Sequence, residues 1–116
     1  MMNRVKAMVK DGKTALGLWI TIGHPDVTEI LSRVGFDFFM FDLEHGPLSI
    51  ETTQTLMMAM NGSDTVPMIR VAFNDPVLIK RALDIGAYGL LIPLVNSKQE
   101  AVNAVRNCKY PPEGIR

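Results

Sequence analysis

One cysteine, Cys108, stands among the 116 residues, so no internal disulfide can form. That scarcity fits a reducing compartment and predicts a cytoplasmic protein. Neither sign of charge is in excess: Lys+Arg and Asp+Glu balance at 12 each. The balance provides no basic field for nucleic acid and no acidic tail. No apolar run approaches the roughly 18 residues of a membrane helix, and the opening MMNRVKAMVKDGK is too polar for a signal peptide. Neither G-x-G-x-x-G nor G-x-x-x-x-G-K-S/T occurs, so nucleotide binding has no motif behind it. What is present is globular in character. Hydrophobic residues make up 47% and charged residues 21%, values that argue against disorder in a chain of one domain's length.

Hydrophobic periodicity and turn residues divide the chain into repeating units. Residues 3–11 predict a short leading helix with Val5, Met8 and Val9 on one face and Asp11-Gly12 as its stop. Ala15 to Ile22 reads as a first strand, uncharged and rich in β-branched and aromatic residues. Pro25 opens a helix with a Val27, Ile30, Leu31 and Val34 stripe, ended by Gly35. A second strand runs from Phe36 to Leu43. Ser49 caps a helix through Met60, closed by Asn61-Gly62. Val66 to Ala72 is a third strand, followed by Asp75 as cap, Pro76, and a helix presenting Leu78, Ile79, Ala82 and Leu83. Gly89 to Val95 is a fourth strand whose C-terminal end is marked by Pro93, since proline is unwelcome inside a ladder. Ser97 and Glu100 form a capping box for a last helix with Ala101, Val102, Val105 and Cys108 on its apolar face. Tyr110 to Gly114 reads as a rigid loop.

A leading helix and four β-α units of about 25 residues predict an α/β fold with a parallel sheet. The strands are apolar throughout, which predicts burial on both faces. A (β/α)8 TIM-type barrel takes eight such units and roughly 250 residues. Residues 1–116 therefore read as a single partial domain, half a barrel. A fragment of a longer chain is expected, ahead of two copies completing each other or an open four-stranded sheet.

In parallel α/β folds the site lies at the C-terminal ends of the strands. There the sequence offers Trp19 and Thr21, then Asp42, Glu44 and His45, then Arg70, Asn74 and Asp75. Arg70 is a guanidinium in an otherwise apolar strand, and burying it alone is prohibitively costly. It either forms a structural ion pair with Asp42 or Glu44, or its planar fork grips a substrate carboxylate or oxyanion. His45 places an imidazole beside two carboxylates and is a candidate acid/base. Asp42 either orients that imidazole or pairs with Arg70. Glu44 is open between pairing and function, and Trp19 between core packing and a pocket wall. Asp84 sits in the last turn of its helix, where the macrodipole disfavours a carboxylate, and so calls for a specific partner, such as one across a subunit interface. His24 and Asp75 read as loop or capping residues. Asp42-x-Glu44-His45 could hold a divalent cation, but with no second ligand cluster no metal ligand is assigned.

These residues carry a resemblance. Gly17-Leu18-Trp19, Gly35-Phe36-Asp37, Asp42-Leu43-Glu44-His45-Gly46-Pro47, Ile69-Arg70-Val71, Asn74-Asp75-Pro76, Leu83-Asp84-Ile85-Gly86-Ala87, Pro93-Leu94-Val95 and Tyr110 to Arg116 occur in an order that resembles the N-terminal half of the HpcH/HpaI aldolases, metal-dependent class II pyruvate aldolases. The resemblance implies a phosphoenolpyruvate/pyruvate-type barrel that assembles into homo-oligomers, often hexamers. The reaction it implies is reversible aldol cleavage of a 2-oxo-4-hydroxy acid to pyruvate and an aldehyde, with Mg2+, Mn2+ or Co2+ as cofactor. Carried onto this chain, Arg70 would bind the pyruvate oxygens, His45 supported by Asp42 would transfer a proton at the aldol hydroxyl, and Trp19 would line the pocket. The family's metal ligands, a Glu and an Asp, lie beyond the matched segment. The isolated chain is then expected to be weakly active or inactive. Two alternatives are a non-catalytic half-barrel for binding or assembly and a citryl- or malyl-CoA lyase relative.

Overall fold

The computed structural model describes residues 3–116. Helix α1 (Arg4–Lys10) is followed by β1 (Gly17–Ile20), α2 (Pro25–Ser32), β2 (Phe38–Asp42), α3 (Ile50–Ala59), β3 (Val66–Arg70), α4 (Pro76–Asp84), β4 (Gly89–Leu91) and α5 (Lys98–Cys108). The four strands form one parallel sheet in the order β1-β2-β3-β4. Each strand is thus joined to its neighbour by a helical crossover, as the alternation in the sequence predicts.

Local chemistry starts each helix where the sequence signals it. The Asp75 carboxylate accepts the N–H groups of Val77 and Leu78 at 2.8 and 3.0 Å, and Pro76 follows in the first turn. Ser49 Oγ accepts from Thr52 N–H. At α5 the capping box is complete, with Glu100 returning to the Ser97 N–H at 2.9 Å. His24 serves as cap of α2, its Nδ1 accepting from Asp26 N–H. Strand bounds are tighter than the apolar runs, because ladder pairing stops before the runs do. Pro93 lies outside β4.

The core lies between one face of the sheet and the helices. Ile20, Phe39, Phe41 and Ile69 present from the strands against Leu56, Met57 and Met60 and against Ile79 and Ala82. Phe39 and Phe41 are fully buried and meet edge to face at 6.3 Å between centroids. Each such side chain contributes on the order of 2 kcal/mol by leaving water. The opposite face carries Trp19, Phe38, Met40, Met68 and Leu91, the alternate residues of the same strands. It is only partly covered: Trp19 is 48% exposed and Leu91 41%. The expectation of burial on both faces holds in full on the helix side and only in part on the other, where Met40 and Val66 are buried but Trp19 and Leu91 are not, because four strands do not close around it. Within that face the Phe38 ring lies over Gly17, where any Cβ would sit 2.1 Å from a ring carbon.

Three helices are rotated from their expected stripes. On α2, Thr28 and Ser32 are buried while Ile30 and Val34 face outward. On α5, Ala104 and Asn107 are buried, and Val102 and Val105 are exposed. On α1, Val5 is buried and Val9 is exposed. On α2 the Ser32 hydroxyl donates to the Glu29 oxygen and on α5 Ala104 is small, so such side chains can take inward positions and hydrophobicity alone misjudges the phase. No helix among the described residues is long and apolar enough to cross a membrane.

Candidate active site

The last residues of β2 and β3, Asp42 and Arg70, are register partners. Both occupy the open face, and the pairing brings a carboxylate and a guanidinium side by side at the C-terminal edge. Arg70 donates from Nε to Asp42 Oδ1 at 2.9 Å and from Nη2 to Oδ2 at 2.5 Å, a two-point contact with the geometry that makes such pairs strong. Its guanidinium carbon lies 4.5 Å from the centroid of the Trp19 ring on β1, a cation–π contact. Three adjacent strands therefore each supply one element of the cluster. Trp19 forms a half-exposed floor under Arg70 and stands outside the helix-covered core.

The loop after β2 folds back over this pair. Asp42 Oδ1 also accepts the backbone N–H groups of Glu44 and His45, at 3.0 and 3.2 Å. Gly46 comes so close that a Cβ would lie 2.6 Å from the Asp42 backbone oxygen, so the turn needs a residue without one. The turn sends the Glu44 carboxylate back to Arg70, with Oε2 3.2 Å from Nε. Its other oxygen, Oε1, is 3.6 Å from His45 Nε2. The imidazole itself is 74% exposed.

This arrangement sorts the open alternatives. Asp42 pairs with Arg70 and reaches His45 through the backbone amide; the carboxylate beside the imidazole is Glu44. The sequence left Glu44 undecided because strand parity does not extend into a turn. The Arg70 guanidinium, aided by the N–H groups of His45 and Glu44 and opposed by burial, holds the Asp42 carboxyl down at about 2. The same bond to Asp42 raises Arg70 above its ordinary value.

The donor set does not suit a metal ion. Both Asp42 oxygens and one Glu44 oxygen are committed to Arg70. The described residues contain no group of three His, Cys, Asp or Glu side chains placed to hold an ion. Asn74, in the loop after β3, is turned away and donates to the Glu100 backbone oxygen.

Two residues outside this edge have partners the sequence did not disclose. Asp84 pairs within the chain with Arg116 at 2.7 Å, and the Arg116 guanidinium lies over the Tyr110 ring at 4.8 Å. The sequence called for a partner and suggested one across a subunit interface; within these residues it is supplied by the Tyr110–Arg116 loop. Asp37, read only as part of a motif, is buried and accepts from the Leu16 N–H at 2.8 Å and from Arg4 at 2.9 Å. It ties α1 and the start of β1 to β2. A single aspartate beside a glycine turn carries no sequence signal for that role.

Residues 15–116 match the model of the HpcH/HpaI aldolase/citrate lyase family. The chain belongs to that family. Over 114 residues it is 45% identical to the 5-keto-4-deoxy-D-glucarate aldolase of Escherichia fergusonii, a match covering 98% of this chain and 44% of the relative. It is 46% identical to the enzyme of that name from Citrobacter koseri, with the same coverage. This HpcH/HpaI chain thus spans less than half the length of the curated relatives it matches. Among solved structures it superposes on an HpcH/HpaI aldolase/citrate lyase family protein from Burkholderia cenocepacia with a TM-score of 0.92 and 33% identity, covering 99% of this chain and 48% of that one. The architecture is accordingly that of a partial (β/α)8 barrel with four of its β-α units.

Proposed function

We propose that these residues form the anion-binding and proton-transfer edge of a carbon–carbon lyase, an aldehyde-lyase that cleaves a 2-oxo-4-hydroxy acid reversibly to pyruvate and an aldehyde. The observation that carries the reading is the Arg70 cluster. A guanidinium lies on the open barrel face, floored by Trp19, tied by Asp42 and overlooked by His45, in a family whose similar members are named aldolases. In the cleavage direction the C4 hydroxyl loses its proton, the C3–C4 bond breaks, and its electron pair passes into the 2-oxo group as an enolate. Protonation at C3 then gives pyruvate. Arg70 binds the 2-oxo acid oxygens and offsets the charge that develops there. His45 exchanges the proton at the aldol hydroxyl, and Trp19 walls the pocket. Asp42 fixes both the Arg70 fork and the backbone of the His45 loop.

Two carboxylates already face Arg70, so an anionic substrate calls for further positive charge. A divalent cation, Mg2+, Mn2+ or Co2+, fills that need in this reading, held by ligands from a segment beyond these residues. Homo-oligomeric assembly, hexameric in the family, a cytoplasmic setting and the absence of nucleic-acid or membrane partners belong to the same proposal.

The test is a chimera joining residues 1–116 to the remaining segment of the E. fergusonii aldolase. With Mn2+ and a 4-hydroxy-2-oxo acid, pyruvate release is followed by coupling to lactate dehydrogenase. Release is expected, with a loss on the order of 100-fold in Arg70→Ala. A folded, metal-loaded chimera that releases no pyruvate, or an Arg70→Ala variant as active as its parent, refutes the reading.

A further inference from the structure

Glu44 is placed with more care than an ion pair requires. Arg70 already has a two-point bond to Asp42, so its charge is matched without a second carboxylate. Bringing Glu44 in as well costs desolvation, since its side chain is only 16% exposed. The fold nevertheless arranges it. Asp42 pins the Glu44 N–H, and the Gly46 turn leaves just enough room for the loop to fold back. The outcome is one carboxylate with an oxygen on each of two groups: 3.2 Å to Arg70 Nε and 3.6 Å to His45 Nε2. Glu44 is the carboxylate beside the His45 imidazole, a ring that is 74% exposed.

We propose that Glu44 is a positioning residue that tethers the His45 imidazole to the Arg70 guanidinium. An untethered ring on an exposed turn samples its rotamers freely, and only a fraction of them point over the anion site. A carboxylate locked on Arg70 and reaching Nε2 narrows that set. With Nε2 turned to Glu44, Nδ1 of the imidazole and the positive charge of Arg70 are then presented to one and the same substrate, which is where pre-organisation lowers a barrier. Glu44 itself need not touch the substrate, so its contribution passes through His45. This inference rests on the aldolase reading for its catalytic meaning, while the tether stands on the geometry.

Two measurements test it. In the chimera, Glu44→Gln is expected to lower kcat about tenfold with KM changed less than about twofold, the pattern of a group acting on the chemical step. In a His45→Ala background the same substitution is expected to change kcat less than about twofold, because residues acting as a unit are non-additive. A full additional loss in that background, or a raised KM with kcat unchanged, overturns the proposal. In the 116-residue chain, the His45 Cε1–Hε1 resonance is expected to move in Glu44→Gln and to stay in place in Glu51→Gln, a remote exposed site on α3. An unmoved resonance overturns the tether. A chimera without activity whose His45 resonance responds to Glu44→Gln supports the tether and refutes the aldolase reading instead.

Discussion

The Asp42–Arg70 pair makes a sharp stability prediction. Asp42 carries a side chain only 5% exposed, and its carboxyl is held at about 2 in the fold against an ordinary value of 3.8. At about 1.4 kcal/mol per pH unit, that gap corresponds to about 2 kcal/mol of folding stability at neutral pH. The sign follows from which state binds the proton first. Between 3.8 and about 2 the unfolded chain is protonated at Asp42 while the folded chain is not. The contribution is therefore fully present above the unfolded value, fades as the pH falls through this window, and is gone below it.

Urea unfolding followed by the fluorescence of Trp19 measures the effect, since this is the one tryptophan of the sequence and Arg70 stacks on its ring. The comparison is between the parent and Asp42→Asn at a series of pH values. The amide keeps the shape but turns an N–H2 toward Arg70 and leaves the guanidinium without its counter-charge. At pH 7 the variant is expected to lose about 3 kcal/mol, in the range for breaking a buried pair. Because every other carboxylate is common to both proteins, the difference isolates Asp42. It should narrow by about 2 kcal/mol between pH 4.5 and pH 2. A difference that stays constant across that range refutes the assignment of the low carboxyl value to the Arg70 bond. Arg70→Met should flatten the same acid dependence, since the first cause of the lowered value is gone.

Three further outcomes follow from the packing. Asp84→Asn is expected to cost under about 1 kcal/mol by urea unfolding, because Asp84 is half exposed. Arg116→Ala should cost about 1–2 kcal/mol, since it also loses the stack on Tyr110 and the packing of a largely buried stem. Gly17→Ala is expected to destabilise by about 1–3 kcal/mol, because the new Cβ meets the Phe38 ring; a thermal midpoint equal to the parent's would refute the close approach.

Legibility in the sequence varied with the kind of physics involved. Caps and turns were readable because each uses local chemistry: Ser49, Asp75 and the Ser97–Glu100 box all sit where short-range rules put them. The parallel order of strands followed from alternation alone. Helix phase was less legible, as Thr28 and Ser32 on α2 show. Buried polar residues satisfied by local bonds, such as Ser32 Oγ to the Glu29 oxygen, are invisible to a hydrophobic count. At the site, the presence of Arg70 in an apolar strand announced a partner, but register decided which one. Asp42 and Arg70 are cross-strand neighbours, whereas the Glu44–His45 contact depends on a turn built around Gly46. Long-range polar contacts such as Asp37 with Arg4 and Asp84 with Arg116 leave no periodic trace at all.

The order in which these groups depend on one another sets how the edge can vary. Asp42 is the common anchor: it holds Arg70 through both oxygens and the Glu44–His45 backbone through one. Losing it disturbs the guanidinium and the imidazole together, whereas losing Glu44 frees the imidazole and leaves the Arg70 fork in place. Among the described residues, the strand positions of the open face from Trp19 to Leu91 carry no charged side chain besides this cluster. Under the proposed function, discrimination among aldehydes has few polar contacts to draw on from these four strands. The superposition with a citrate synthase, at 28% identity, reaches a TM-score of 0.89, whereas relatives at 45% identity are named aldolases. One half-barrel scaffold thus accompanies differently named chemistries. Under the proposed function this edge handles charge and protons, while the groups that distinguish one substrate from another approach it across the open face.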